Sequence, residues 1–224
     1  MGETEFVECW TDVLPSDEGK DFRVIDVGVG ESTKALLKWG ATVIGVDRDL
    51  DRLQAFEDAD IPLLRGDVTS FPFRKRLADL IVLKETLHEI DPAKHREVLT
   101  VAYALAPMVI VVEPSPEGGR MYQRYAELWR KAMRSVGRFE EYQPLSYWKK
   151  LLKDSGFTMV TVKRIRAKET IPPEQLEEIN RCTVEEWINL SVKPKYIQDM
   201  HEFLECAKKN GMKWSDLNVL KGEA

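Results

Sequence analysis

Two hydrophobic rhythms alternate along the chain. Short, nearly unbroken apolar runs occur from Val24 to Asp26 and over residues 41–47, 61–66, 79–84, 108–113 and 157–165. Runs of this length read as strands, and DLIVLK at 79–84 has the composition of a strand buried on both faces. Between them lie stretches with helical spacing. One opens near Ser32 or Thr33 and stops at Gly40, the next covers 50–56, and another is capped by Asp91, carries Pro92 in its first turn and runs to about Leu105. A further one covers 146–155 and is closed by Gly156. Strand and helix alternating in this way predict an α/β fold with a parallel sheet covered on both faces. Ahead of the first strand, residues 3–13 predict a short amphipathic helix that turns Phe6, Val7 and Trp10 toward the protein and covers the edge of the site; Pro15 and the turn 16–20 end it.

Two segments go beyond this alternation. In 120–138, Arg120, Arg124, Lys131, Arg134 and Arg138 fall opposite Tyr122, Tyr125, Trp129, Met133 and Val136, which predicts an amphipathic helix with a basic face. That face reads either as a site for an anionic substrate or RNA, or as a solvated surface paired with Glu127, Glu140 and Glu141. Residues 166–215 predict helices from Pro173 and over Pro194–Asn210. A capping-box pattern at Thr183 and Glu186 allows the first of these to be two helices.

Composition narrows the class. With 224 residues, 43% of them hydrophobic and 32% charged, one substantial core is expected, hence a single domain over 1–224 with 115–140 and 166–215 as helical insertions roofing the pocket. A formal net charge of −5 offers no general attraction to phosphates and disfavours a nucleic-acid partner. No run approaches the ~18 apolar residues of a membrane helix, and the N-terminal stretch is acidic, so a cytoplasmic protein with no membrane partner is expected. Cys9, Cys182 and Cys206 are too scattered for a disulfide framework or zinc site and read as buried free thiols. His88, His95 and His201 show no metal-binding spacing, and no metal is proposed.

The chemistry centres on residues 24–47, where an apolar run ends in Asp26, glycines follow at 28 and 30, and after a helix a second run ends in Asp47. The glycines allow a tight turn beside a ligand, and the N–H groups opening the helix can receive its polar parts. An acid at the end of the second strand can accept hydrogen bonds from both ribose hydroxyls of a nucleoside. In the dinucleotide-binding frame the third glycine is replaced by Thr33, and Asp26 would repel a pyrophosphate. A carboxylate there suits a cationic nucleoside with an ammonium and a sulfonium, which describes S-adenosylmethionine (SAM).

With Asp26, Gly28, Gly30 and Ser32 in place, the stretch resembles motif I of the class I SAM-dependent methyltransferases, the small-molecule, quinone-biosynthesis-like subgroup in particular. The resemblance covers roughly residues 23–165. It implies a Rossmann-like, doubly wound, seven-stranded, mostly parallel sheet whose last strand, at 216–221, is antiparallel. It also implies SAM as cofactor, with S-adenosyl-L-homocysteine as product, and a small-molecule acceptor. Asp67 resembles the acid that bonds the adenine amino group and Val68 the residue that packs on the ring, although Asp67 also reads as a turn former. Arg48, beside Asp47, and Lys84, ending the fourth run, complete the cofactor-side candidates. The exit Glu85–Thr86–Leu87–His88–Glu89 resembles the family's fourth-strand motif and faces the methyl group; His88 is the first candidate for a general base, followed by Glu89 and Glu113, although His88 also reads as a packing histidine. An RNA or protein methyltransferase using the basic helix, or a silent SAM-binding adaptor, stays as an alternative, as does a homodimer.

Overall fold

The computed structural model describes residues 13–14, 22–70 and 76–224. The expected helix at 3–13 with Phe6, Val7 and Trp10, the turn at 16–20 and Cys9 lie outside the described residues, Val13 excepted.

Seven strands form one sheet: β1 (Arg23–Val27), β2 (Thr42–Asp47), β3 (Leu63–Arg65), β4 (Leu80–Lys84), β5 (Met108–Pro114), β6 (Met159–Ile165) and β7 (Leu217–Glu223). Their spatial order is β3-β2-β1-β4-β5-β7-β6, and β1 to β5 pair in parallel while β7 runs antiparallel to both neighbours. The Rossmann-like, mostly parallel sheet with an antiparallel last strand is therefore present. From β1 the chain winds outward through β2 and β3, then returns to the other side of β1 for β4 and β5. That reversal opens a crevice at the carboxyl ends of β1 and β4, where open α/β sheets bind ligands.

Helices cover both faces. On one, α1 (Glu31–Trp39) packs Leu36 against Val24, Val43 and Val82. Another core on the sheet joins Ile81, Leu83 and Val109 to Leu99 of α3 (His95–Leu105) and to Trp148 and Leu152 of α5 (Leu145–Asp154). The five-residue α2 (Leu50–Gln54) follows β2 and is capped by Asp49. Fully buried side chains such as Val82, Leu83 and Ile110 explain why these strands read as apolar runs; truncating a leucine in such a place costs about 2–5 kcal/mol.

The helices α4 (Arg120–Ser135), α6 (Pro173–Asn189) and α7 (Pro194–Asn210) build a separate apolar cluster around Tyr125, Trp187, Met200 and Phe203. The segment from Pro173 is one helix, not two. Thr183 is buried on the same face as Leu176 and Trp187, so apolar contacts run through the capping-box pattern. Other boundaries shift modestly: Pro92–Lys94 is a separate helical turn ahead of α3, and β3 is shorter than its apolar run. Burial of the cysteines does not hold, since Cys182 is exposed and Cys206 half-buried. The basic side chains of α4 are largely occupied. Arg130 and Lys131 pair with Glu127, and Arg134 pairs with Glu141, which is the solvated-face reading. Glu140, expected among those partners, goes elsewhere.

Candidate functional site

The turn after β1 is built around two acids. Asp26 is fully buried, and its Oδ2 accepts hydrogen bonds from Ser32 (2.9 Å) and Thr33 (2.6 Å) in the first turn of α1. Thr33 Oγ1 also accepts from Gly30 N at 3.0 Å, so the residue at the third-glycine position ties the acid to the helix start. Asp26 Oδ1 has no partner among the described residues. Burial pushes the Asp26 carboxyl up to about 7, only partly countered by the two hydroxyls and by nearby Lys84. Asp47, at the end of β2, accepts from Val29 N (3.1 Å) and Asp49 N (2.9 Å) and so holds the glycine turn against β2.

Gly28 has φ +84°, and a Cβ there would lie 2.5 Å from Thr86 Oγ1, so only glycine lets the β1 and β4 exits come this close. A Cβ at Gly30 would meet nothing within 4 Å, which leaves open space over the start of α1. Asp67 is exposed; its Oδ1 accepts from Thr69 N and Oγ1, both at 2.8 Å, which realises the turn-forming reading whatever else it does. Val68 is buried in the core beside Ile25 and Leu83. Lys84 pairs with Glu85, and Arg48 reaches Glu89 at 3.2 Å, with Arg52 at 3.9 Å from the same carboxylate. These two arginines link the β2 exit to the β4 exit.

Beyond β4 the chain bends at Glu85, a non-glycine residue at φ +49°, and Glu113 at the end of β5 organises the loop from Thr86 to His88. Glu113 Oε1 accepts from Thr86 N (3.0 Å) and Leu87 N (2.7 Å), and Oε2 lies 2.6 Å from His88 Nδ1. His88 Nε2 lies 3.7 Å from Glu140 Oε1, its ring stacks on Tyr142 at 5.2 Å, and Tyr142 donates its hydroxyl proton to Glu140 Oε1. Glu141 N donates to His88 O at 2.8 Å, which fastens the connector after α4 to this loop. The structure thus brings His88 and Glu113 together, sets Glu89 apart with the arginines, and adds Glu140 and Tyr142.

Burial alone would lower the affinity of His88 for its proton. The Glu113 charge and hydrogen bond, followed by Glu140 and Glu89, outweigh it and raise the imidazole to about 10. That direction favours the doubly protonated ring near neutral pH, the form that donates rather than accepts a proton. Burial raises Glu140 to about 6 despite the opposing pull of His88 and Tyr142. Asn218 on β7, the cross-strand partner of Glu113, is fully buried on the same sheet face, and neither of its amide atoms has a partner among the described residues. A lone polar residue inside DLNVLK was the only signal for it. Burial, followed by the charge of Glu89, raises the Glu186 carboxyl near the end of α6.

Residues 25–107 match the family described as "Methyltransferase domain". The matched stretch runs from β1 to the end of α3 and holds the glycine turn and both acids. Relatives of this domain include the demethylmenaquinone methyltransferase of Corynebacterium kroppenstedtii, 28% identical over 129 residues, which are 56% of this chain and 56% of the relative. The chain thus matches little more than half the length of that curated protein. Among solved structures, a putative methyltransferase from an antibiotic biosynthesis pathway of Anabaena variabilis superposes with a TM-score of 0.69 at 13% identity, covering 98% of this chain and 97% of that one. A SAM-dependent methyltransferase from Archaeoglobus fulgidus gives 0.60 at 16% identity, covering 92% and 88%. At these identities the structural matches establish the fold. The residues of the methyltransferase domain fit SAM: a buried acid with an unpartnered oxygen ends β1, the space over Gly30 is open, and a second acid ends β2. Among the described residues no helix is long and apolar enough to cross a membrane.

Proposed function

We propose that this protein transfers the methyl group of SAM to a small-molecule acceptor in the crevice between β1 and β4. The observation that carries this reading is the pair of acids, Asp26 and Asp47, flanking the glycine turn at the point where the strand order reverses. Bound there, SAM supplies an already electrophilic methyl carbon, so much of the acceleration comes from holding the acceptor in line at about 3 Å. Asp26 Oδ1 and the Lys84 neighbourhood serve the amino-acid end, Asp47 the ribose hydroxyls, and Asp67 and Val68 the adenine; Arg48 lies beside the ribose and holds Glu89. Gly28 and Gly30 keep the backbone low enough for the ligand to approach.

On the acceptor side, Glu113 shapes the Thr86–His88 backbone, and protonated His88 offers an N–H to the acceptor or to the network that positions it. We assign α4, α6 and α7 to the roof, supported by the Glu141–His88 bond that fastens the connector after α4 to the β4 exit and by the apolar cluster that joins α6 and α7 to α4. The relation to a demethylmenaquinone methyltransferase favours a reduced aromatic diol as acceptor, and the pairing of Arg130, Lys131 and Arg134 with Glu127 and Glu141 reduces what α4 offers a polyanion. The test is transfer from methyl-labelled SAM to a panel of reduced quinones, phenols and amines, with 1,4-dihydroxynaphthalene as the first probe. Label in a small-molecule product supports the reading; label recovered only in added RNA or protein overturns it.

A further inference from the structure

Methyl transfer to a protic acceptor releases a proton, and the site must give it somewhere to go. We propose that Glu140, in the connector between α4 and α5, takes this proton through its Oε2, an inference that rests on the methyl-transfer reading. As the bond from the acceptor's oxygen, nitrogen or carbon to the methyl carbon forms, the carbon–sulfur bond breaks with its electron pair left on sulfur. The proton shed by the acceptor passes to the Glu140 carboxylate and from there to solvent.

The other titratable groups that act directly on His88 and Glu140 are committed. On β5, both Glu113 oxygens are engaged, one by two backbone N–H groups and one by His88, and the side chain is buried. In the loop after β4, His88 already holds two protons, Glu89 is shared by Arg48 and Arg52, and Glu85 is paired with Lys84. On α4, burial pushes Tyr122 up to about 12 and Tyr125 upward as well; in the connector, burial and Glu140 itself raise Tyr142, and Glu141 is held by Arg134. Glu140 is 6% exposed, and among the described residues its Oε2 makes no hydrogen bond while Oε1 receives Tyr142. A carboxylate raised to about 6 is ionised at neutral pH yet basic enough to accept a proton in a transition state. His88 beside it, positively charged, keeps that anion from rising further, which gives the buried imidazolium a purpose.

The test uses the full chain, Glu140→Gln and Tyr142→Phe, with 1,4-dihydroxynaphthalene as the probe. Calorimetry with S-adenosylhomocysteine comes first: if the wild type does not bind it, the methyl-transfer reading itself fails. With binding kept within about twofold, Glu140→Gln is expected to lower kcat at pH 8 by about 100-fold or more and to remove the acid limb of the rate profile near pH 6. Carbon-13 titration of the side-chain carboxyls, which needs no acceptor, should show, besides Asp26 near 7, a group titrating near 6 in the wild type that is missing in Glu140→Gln and retained in Asp26→Asn. If Glu140→Gln does not fold, Tyr142→Phe decides, because loss of its hydrogen bond should move the limb and the carboxyl titration to higher pH. Full kcat with an unchanged limb in Glu140→Gln, no carboxyl titrating near 6, or no movement in Tyr142→Phe would overturn the proposal.

Discussion

Replacing Glu113 by Gln removes one negative charge from the centre of the site while preserving its shape. The glutamine carbonyl can still accept from Thr86 N and Leu87 N, and what is lost is the charge 2.6 Å from His88 Nδ1. In the wild type His88 is raised from 6.5 to about 10, against the pull of burial, chiefly by that charge and its hydrogen bond. A folded-state pKa above the unfolded one contributes stability that is fully present below about 6.5 and disappears as the pH rises toward 10. At about 1.4 kcal/mol per pH unit the contribution is bounded near 5 kcal/mol, comparable with the roughly 3–5 kcal/mol lost when one partner of a buried pair is removed. Denaturant unfolding at pH 6.5, 8 and 9.5 measures it. The wild type should exceed Glu113→Gln by several kcal/mol at pH 6.5, and the gap should narrow steadily toward pH 9.5. Parallel pH dependences for the two proteins would refute the reasoning, because groups titrating elsewhere contribute equally to both.

Asp26→Asn should have opposite effects on stability and affinity. Because Asp26 is raised from 3.8 to about 7, its ionisation weighs against folding as the pH climbs through that window, so the variant should melt higher than the wild type at pH 8, with the gain shrinking toward pH 4, and should bind SAM more weakly. Asp47→Ala should reduce SAM affinity roughly tenfold or more through loss of charged hydrogen bonds to the ribose and of the turn anchored on Val29; unchanged calorimetric affinity would remove Asp47 from the site. Gly28→Ala combines φ +84° with a Cβ 2.5 Å from Thr86 Oγ1 and should cost at least about 1–3 kcal/mol in denaturant unfolding while weakening SAM binding. Trp187→Ala, at a fully buried position among α4, α6 and α7, should cost about 3–5 kcal/mol and raise hydrogen exchange in those helices before it does so in β1 and β4.

The strands and their ligand-bearing ends were legible because each is a local pattern: an apolar run, then an acid or a glycine. Asp26, Gly28 and Asp47 could be singled out from such patterns alone, and His88 through the resemblance of the exit that follows the fourth run. Pairing order is not local: the antiparallel last strand was implied by the family resemblance, and its place between β5 and β6 came only from the structure. Glu140 was hidden for a related reason. It sits in RFEEYQ, where alternating charge reads as a solvated surface, and its neighbour Glu141 does pair with Arg134. Only the fold turns Glu140 inward onto His88, and that contact in turn sets the protonation of a histidine whose type alone suggested a base. The single helix Pro173–Asn189 shows the same hierarchy, with a buried Thr183 overriding a capping-box pattern.

The central claim, that the two acids around the glycine turn hold a cationic nucleoside, is tested most directly by calorimetric titration of the protein with SAM, S-adenosylhomocysteine and NADH in parallel. Micromolar binding of the first two with no detectable NADH binding is the predicted result. Tight NADH binding, or no binding of either sulfur ligand, would contradict it.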